Sequence, residues 1–216
     1  MKNARKISLD LCGGTGSWSK PYRDAGYDVR VITLPEWDVR SFLSKINSKE
    51  FKGKIYGILA APPCTMFSIA RNDKTARKCR SLREGMEIVN ACIWIIHECL
   101  YEPYRISENS LKFWALENPD GYLKRFLGKP ALAFDPCDYG DPYTKRTHLW
   151  GMFNEPKRKP IKATGGTMVK HAGNHYFTDL KPVDPDYQKK LGADARTIRR
   201  SITPSGFAQA FFQANK

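Results

Sequence analysis

Ile55-Tyr56-Gly57-Ile58-Leu59-Ala60-Ala61-Pro62-Pro63-Cys64-Thr65-Met66-Phe67-Ser68 is the stretch that decides the fold. Its first seven residues are almost continuously apolar, the mark of a strand buried on both faces, as in a parallel sheet covered by helices. Pro62 and Pro63 have no backbone N–H to continue a ladder, so the strand stops there and Cys64 is thrown to the sheet's edge. A basic segment follows, with Arg71, Lys74, Arg77, Lys78, Arg80 and Arg83. A thiol at a strand end beside a cationic segment suggests covalent chemistry on a polyanion. A buried structural cysteine is the competing reading.

Outward from this strand, placed at residues 54–61, strand and helix signals alternate. Residues 7–11 read as a strand ending in a glycine-rich turn, 19–26 as a helix, 28–33 as a second strand and 41–48 as a short helix. Residues 81–100 read as a long helix with Met86, Ile88, Val89, Cys92, Ile93 and Ile96 as its apolar positions. Residues 112–117 read as a strand ending at Asn118-Pro119, 147–152 as a further strand, and 202–214 as a closing helix after Pro204. Residues 154–185, rich in Pro, Gly, Lys and His, show little periodicity. This order predicts an α/β, Rossmann-like, mostly parallel sheet with helices on both faces and ligands at the carboxyl ends of its strands.

The chain has 216 residues, enough for one domain with a sizeable core, and a formal charge of +14 from 36 basic and 22 acidic residues. That excess favours nucleic acid or another polyanion as partner. Six cysteines form no C-x-x-C pair and no cluster with zinc spacing, so no metal is expected; Cys92 and Cys99, seven apart on the long helix, read as small apolar groups. No secretory signal and no apolar run long enough for a membrane is visible, which points to a reducing cytoplasm and no membrane partner.

Leu9-Asp10-Leu11-Cys12-Gly13-Gly14-Thr15-Gly16-Ser17-Trp18 is a strand followed by a glycine-rich turn, where a backbone can approach a ligand closely. The glycines fall at 13, 14 and 16 and position 19 is Ser, so the dinucleotide phosphate fingerprint is absent and a cofactor without a pyrophosphate fits better. Asp38 follows the second strand and either accepts from a ribose hydroxyl or an adenine amine, with Trp37 packing on the ring, or caps the next helix. Glu117 ends a strand that runs parallel to that of Cys64, so the two can share one pocket. A partly desolvated carboxyl there can stay protonated beside a ring nitrogen. Arg146 can offer a fork of donors to a carbonyl oxygen.

Together these pieces resemble the DNA cytosine-5 methyltransferases. The resemblance rests on Asp10-Leu11-Cys12-Gly13-Gly14-Thr15-Gly16, Asp38-Val39, Pro63-Cys64, Glu117-Asn118, Arg146 and Ile202-Thr203-Pro204-Ser205, in that order. It covers residues 7–153 and 199–213 and is similar to compact, phage-encoded members. Cys12 stands where the family has Phe, Thr65 where it has Gln and Pro119 where it has Val. The first departure moves adenine stacking to Trp18 or Trp37.

The resemblance implies S-adenosylmethionine as cofactor, held by Asp10, Leu11, Cys12, Gly13, Gly14, Thr15, Gly16, Trp18, Leu34, Trp37, Asp38, Val39, Pro62 and Ser205. Cys64, Glu117 and Arg146 are the implied catalytic residues. Cys64 would add to C6 of a cytosine flipped out of double-stranded DNA, Glu117 would act at N3 and Arg146 would steady the O2 side. It also implies a catalytic domain of residues 1–153 and 199–216, a reduced target-recognition segment at 154–198, a monomer, and host-cell cytoplasm. His171, Asn174, His175, Tyr176, Lys157, Arg158, Lys159 and Lys162 are candidate DNA contacts. The alternatives are a different C5 modification, a uracil or RNA substrate, and a non-catalytic DNA-binding relative.

Overall fold

The computed structural model describes residues 3–51, 54–69, 71, 79–101, 111–164, 188–189 and 195–216. Strands β1 (Ile7–Leu11), β2 (Asp28–Ile32), β3 (Ile55–Ala60), β4 (Phe113–Pro119), β5 (Leu132–Phe134) and β6 (Thr147–Met152) make one sheet in the order β2-β1-β3-β4-β6-β5. β2, β1, β3 and β4 are parallel, and β6 runs antiparallel to β4 and β5. The helices are α1 (Lys20–Asp24), α2 (Val39–Ile46), α3 (Leu82–Tyr101), α4 (Lys124–Leu127), α5 (Ala195–Ser201) and α6 (Ser205–Ala214). The architecture is the Rossmann-like, mostly parallel α/β sheet that the order of strands and helices predicts. No helix among the described residues is long and apolar enough to cross a membrane.

Strand alternation divides the core in two. Leu9 and Leu11 of β1, Ile58 and Ala60 of β3 and Leu116 of β4 face α2 and α3, where they meet Phe42, Ile46, Val89, Cys92 and Ile96. Leu59, Phe113, Ala115 and Leu149 face the other way, onto Trp18, Tyr22, Phe207 and Phe211. α2 is amphipathic because Val39, Phe42 and Ile46 recur at helical spacing, and Asp38 starts it by accepting from the Arg40 backbone N–H at 2.9 Å. A cap of this kind is worth about 1 kcal/mol.

Several elements differ from the sequence reading. The closing helix α6 starts at Ser205, after Pro204, as read, but α5, which precedes it at Ala195–Ser201, has no counterpart in the sequence reading; Pro204 cannot donate within a helix and restricts Thr203 before it, which separates the two. α1 begins only at Lys20, after Ser19 has committed its hydroxyl to Asp10. β5 and α4, three and four residues long, carry too little periodicity to be read in advance. Residues 154–161, the start of the segment read as 154–198, bond to the body. Asn154 donates from its backbone N–H to Asn215, and the Lys159 and Ile161 N–H groups donate to the Asp138 and Cys137 carbonyls.

Candidate active site at the carboxyl edge of the sheet

Pairing fixes the site's floor. Ile32, Leu11, Ala60, Leu116 and Trp150 form one row across five strands. The loops after β1, β2, β3 and β4 therefore leave the sheet along one edge. The order of connection reverses between β1 and β3, which opens the crevice where ligands bind in sheets of this kind. The glycine-rich turn lies on one side of that crevice and Cys64 on the other.

Cys64 opens a single 3-10 turn, Cys64–Met66, and is half-buried. Its carbonyl accepts from the N–H groups of Phe67 and Ser68 at 2.9 and 2.8 Å. The turn is anchored by Phe67, which is fully buried. Tyr122 N–H donates to the Phe67 carbonyl at 2.9 Å, and a Cβ on Gly121 would lie 2.3 Å from that oxygen, so only glycine fits there. Arg80 clamps the same turn from the α3 side, donating to the carbonyls of Met66 at 2.8 Å and Ser68 at 3.2 Å. From β4, Asn118 donates to the Pro62 carbonyl at 2.9 Å. The Pro-Pro-Cys segment is thus held from three directions, which preorganises the sulfur.

Glu117, half-buried, is the residue just beyond the floor on β4. Burial pushes its carboxyl above the usual range, and Lys145 pulls it back. Burial also pushes the Cys64 thiol up; Lys145 pulls it down, Glu117 adds to the rise, and Arg200 pulls it down further. Sulfur and carboxyl are therefore electrostatic neighbours, as the parallel strands imply.

Arg146 does not join them. Glu117 pairs with Leu149, alternation along β6 puts Thr147 on that side of the sheet, and the ladder runs on past the strand's end, where Asp120 N–H donates to the Arg146 carbonyl at 2.9 Å, so that Lys145 follows Thr147. Asn118 pairs with His148, and Arg146 falls on their side. Its guanidinium forms an ion pair with Asp135 at 3.3 Å and is about half exposed. Among the described residues, Lys145, one residue earlier, is the cation that acts on both Cys64 and Glu117, and no local pattern in the sequence singles it out. Its only advance signal was its position two residues before Thr147, which has meaning only once the β4–β6 register is known.

The glycine-rich turn is built on Asp10. This side chain is fully buried, not displayed to a ligand: its Oδ2 accepts from Ser19 Oγ at 2.5 Å, and a Cβ on Gly13 would lie 2.3 Å from its carboxyl carbon. Burial raises its pKa to about 6, against the lowering pull of Ser19 and Arg23. Leu11 is likewise a core side chain. Cys12, Gly14 and Gly16 all have positive φ, 57°, 52° and 66°, which curls the turn back on itself, and Cys12 packs against Cys92 of α3. Around a Cβ placed on Gly14 there is open space. The far side of the turn is clamped by Thr203, whose N–H donates to Ser17 Oγ at 2.9 Å, and Thr15 Oγ1 accepts from Ser17 N–H.

Of the two tryptophans proposed for stacking, Trp18 is excluded. It is 2% exposed, with Phe207 and Phe211 against its ring. Trp37 is 37% exposed, with the Lys45 ammonium 4.2 Å from its ring centre and Phe42 edge-on to it, and Leu34 is exposed as well. Asp38 takes the helix-capping role: both oxygens are engaged by Arg40, and the carboxyl is held below its usual range by that contact. Val39 is buried in the core. Ser205 Oγ is directed to Asp141 at 3.4 Å, and Asp141 also accepts from Gly206 N–H at the start of α6. Open space beside Gly14 and an exposed ring at Trp37 fit a nucleoside-type ligand. The buried groups Asp10, Leu11, Trp18 and Val39 support that crevice from below.

Lys74, Arg77 and Lys78 of the basic segment, and His171, Asn174, His175 and Tyr176, lie outside the described residues. Among those described, no cluster of His, Cys, Asp and Glu could hold a metal, and none of the six cysteines is in a disulfide.

No family model matches the chain, and no curated protein matches it. Among solved structures, the Entamoeba histolytica methyltransferase EhMeth matches with 15% sequence identity and a TM-score of 0.35, over 74% of this chain and 58% of that one. The chain thus spans less than two thirds of that structure's length.

Proposed function

We propose that this protein transfers a methyl group from S-adenosylmethionine to C5 of a cytosine flipped out of double-stranded DNA. The observation that carries the reading is the meeting of Cys64 and Glu117 at the carboxyl ends of adjacent strands β3 and β4, across the crevice from the glycine-rich turn. A thiol and a raised carboxyl in one pocket suit addition to an electron-poor pyrimidine ring. The formal charge of +14 suits a polyanion.

In this reading Gly13, Gly14, Thr15 and Gly16 line the cofactor crevice, Trp37 and Leu34 pack on the adenine, and the Pro62 segment closes it from the β3 side. When bound, the cofactor supplies an electrophilic methyl group on a sulfonium centre. Cys64 forms an S–C6 bond, and protonated Glu117 gives its proton to N3, so the ring's electron pair is held at C5. Once C5 carries the new carbon, its proton leaves to solvent and the C6–S bond breaks. The ring double bond re-forms, and the N3 proton returns to Glu117. The pinned turn at Phe67 keeps the sulfur in place through both steps.

Incubation with donor labelled at its methyl group, followed by digestion of the DNA and mass spectrometry of the nucleosides, tests this. Labelled 5-methylcytosine that is lost with Cys64→Ala is the expected result. Label on another base or in RNA alone overturns the substrate, and no transfer to any nucleic acid overturns the reading.

A further inference from the structure

We propose that Lys145, held against the last turn of α5, is the positioning cation that stabilises the Cys64 thiolate. The inference rests on Cys64 being the attacking sulfur, and it assigns the charge that this sulfur needs. Both ends of the lysine are fixed. Its backbone N–H donates to Asp135 Oδ1 at 3.0 Å, and its carbonyl accepts from Thr147 Oγ1 at 2.7 Å. Its Nζ donates to the Arg200 carbonyl at 2.9 Å, one of the C-terminal carbonyls that α5 cannot satisfy within itself. Asp135 takes the neighbouring Arg146 with its other oxygen. One carboxylate thereby fixes the local twist, sending Lys145 to Glu117's side of the sheet and Arg146 away from it.

A lysine tip held in this way gives up side-chain entropy that a surface lysine keeps, and its charge is directed instead of averaged over solvent. Among the described residues, the charges that act on Cys64 are those of Lys145, Glu117 and Arg200. Glu117 and burial oppose thiolate formation, so the cations have to offset both. When the thiolate forms, the S–H bond breaks, the electron pair stays on sulfur beside the ammonium, and the proton passes to solvent.

The test is the pH dependence of Cys64 alkylation by iodoacetamide, read by peptide mass spectrometry so that the other five cysteines are counted apart. Lys145→Met is expected to raise the midpoint for Cys64 by about one pH unit, and Lys145→Arg to return it to the wild-type value. Lys145→Gln, which keeps a hydrogen-bond donor for the Arg200 carbonyl, is expected to behave as Lys145→Met, separating charge from tethering. An unchanged midpoint in Lys145→Met, or an equal shift in Arg146→Met, overturns the proposal. The assay contains neither nucleic acid nor methyl donor, so its result is independent of whether methyl transfer is observed.

Discussion

Asn118 donates from Nδ2 to the Pro62 carbonyl at 2.9 Å, so the strand that carries Glu117 also sets the position of the segment that carries Cys64. The side chain is fully buried. Replacement by alanine leaves the Pro62 carbonyl without this donor, and stability should fall by about 1–3 kcal/mol. Methyl transfer should fall at least roughly tenfold, since a small displacement of a reacting group is enough for that. Urea denaturation beside a transfer assay checks both; unchanged transfer would show that the Cys64 turn holds itself.

Glu117 should impose the alkaline limb of the pH–rate profile. Burial raises its carboxyl above the ordinary range, with Lys145 opposing, and the reaction needs the protonated form. The rate then falls as pH rises through the raised value. Glu117→Gln should slow transfer by roughly 10²-fold and remove that limb. A Gln variant that keeps the wild-type profile contradicts the assignment.

Asp10 makes stability depend on pH in an unusual direction. Its pKa rises from 3.8 to about 6 on folding, so between those values the folded state binds the proton more tightly. Stability from this group is therefore full at low pH and is lost as pH rises through 6. The loss amounts to about 3 kcal/mol at 1.36 kcal/mol per pH unit. Asp10→Asn should flatten the difference between urea midpoints at pH 4 and pH 7; an equal difference in the variant refutes the attribution.

The two tryptophans should separate cleanly. Trp18→Ala empties a site against Phe207 and Phe211 and should lose about 3–5 kcal/mol of stability. Trp37→Ala should leave stability within about 1 kcal/mol but weaken S-adenosylmethionine binding roughly tenfold. Calorimetric titration of both variants decides the matter. Unweakened binding by the Trp37 variant sinks the stacking role.

What could be read from the sequence was whatever depends on residues close together in the chain. The apolar run into Pro62-Pro63 placed Cys64 at a sheet edge, and residues 147–152 were delimited as a strand with the bounds the structure shows. Misreadings arose where distant segments decide. Trp18 follows a glycine-rich turn, as a stacking residue can, yet Phe207 and Phe211, far along the chain, draw it inward. Arg146 and Lys145 are adjacent, and which of them faces Glu117 depends on register with β4, which no local pattern contains. A carboxylate after a strand suits both roles open to Asp38, ligand acceptor and helix cap. The Arg40 contacts are what fix it as a cap.

The bond from Thr203 to Ser17 spans 186 positions. During synthesis, residues 13–17 emerge early and wait for their clamp until the ribosome has passed Thr203. Phe207 and Phe211 come later still, so the aromatic face around Trp18 and Phe113 stays uncovered in the nascent chain. A partial translation product stalled before that point carries Cys64 and Glu117 without the completed crevice, and it presents to chaperones the surface that α6 later seals.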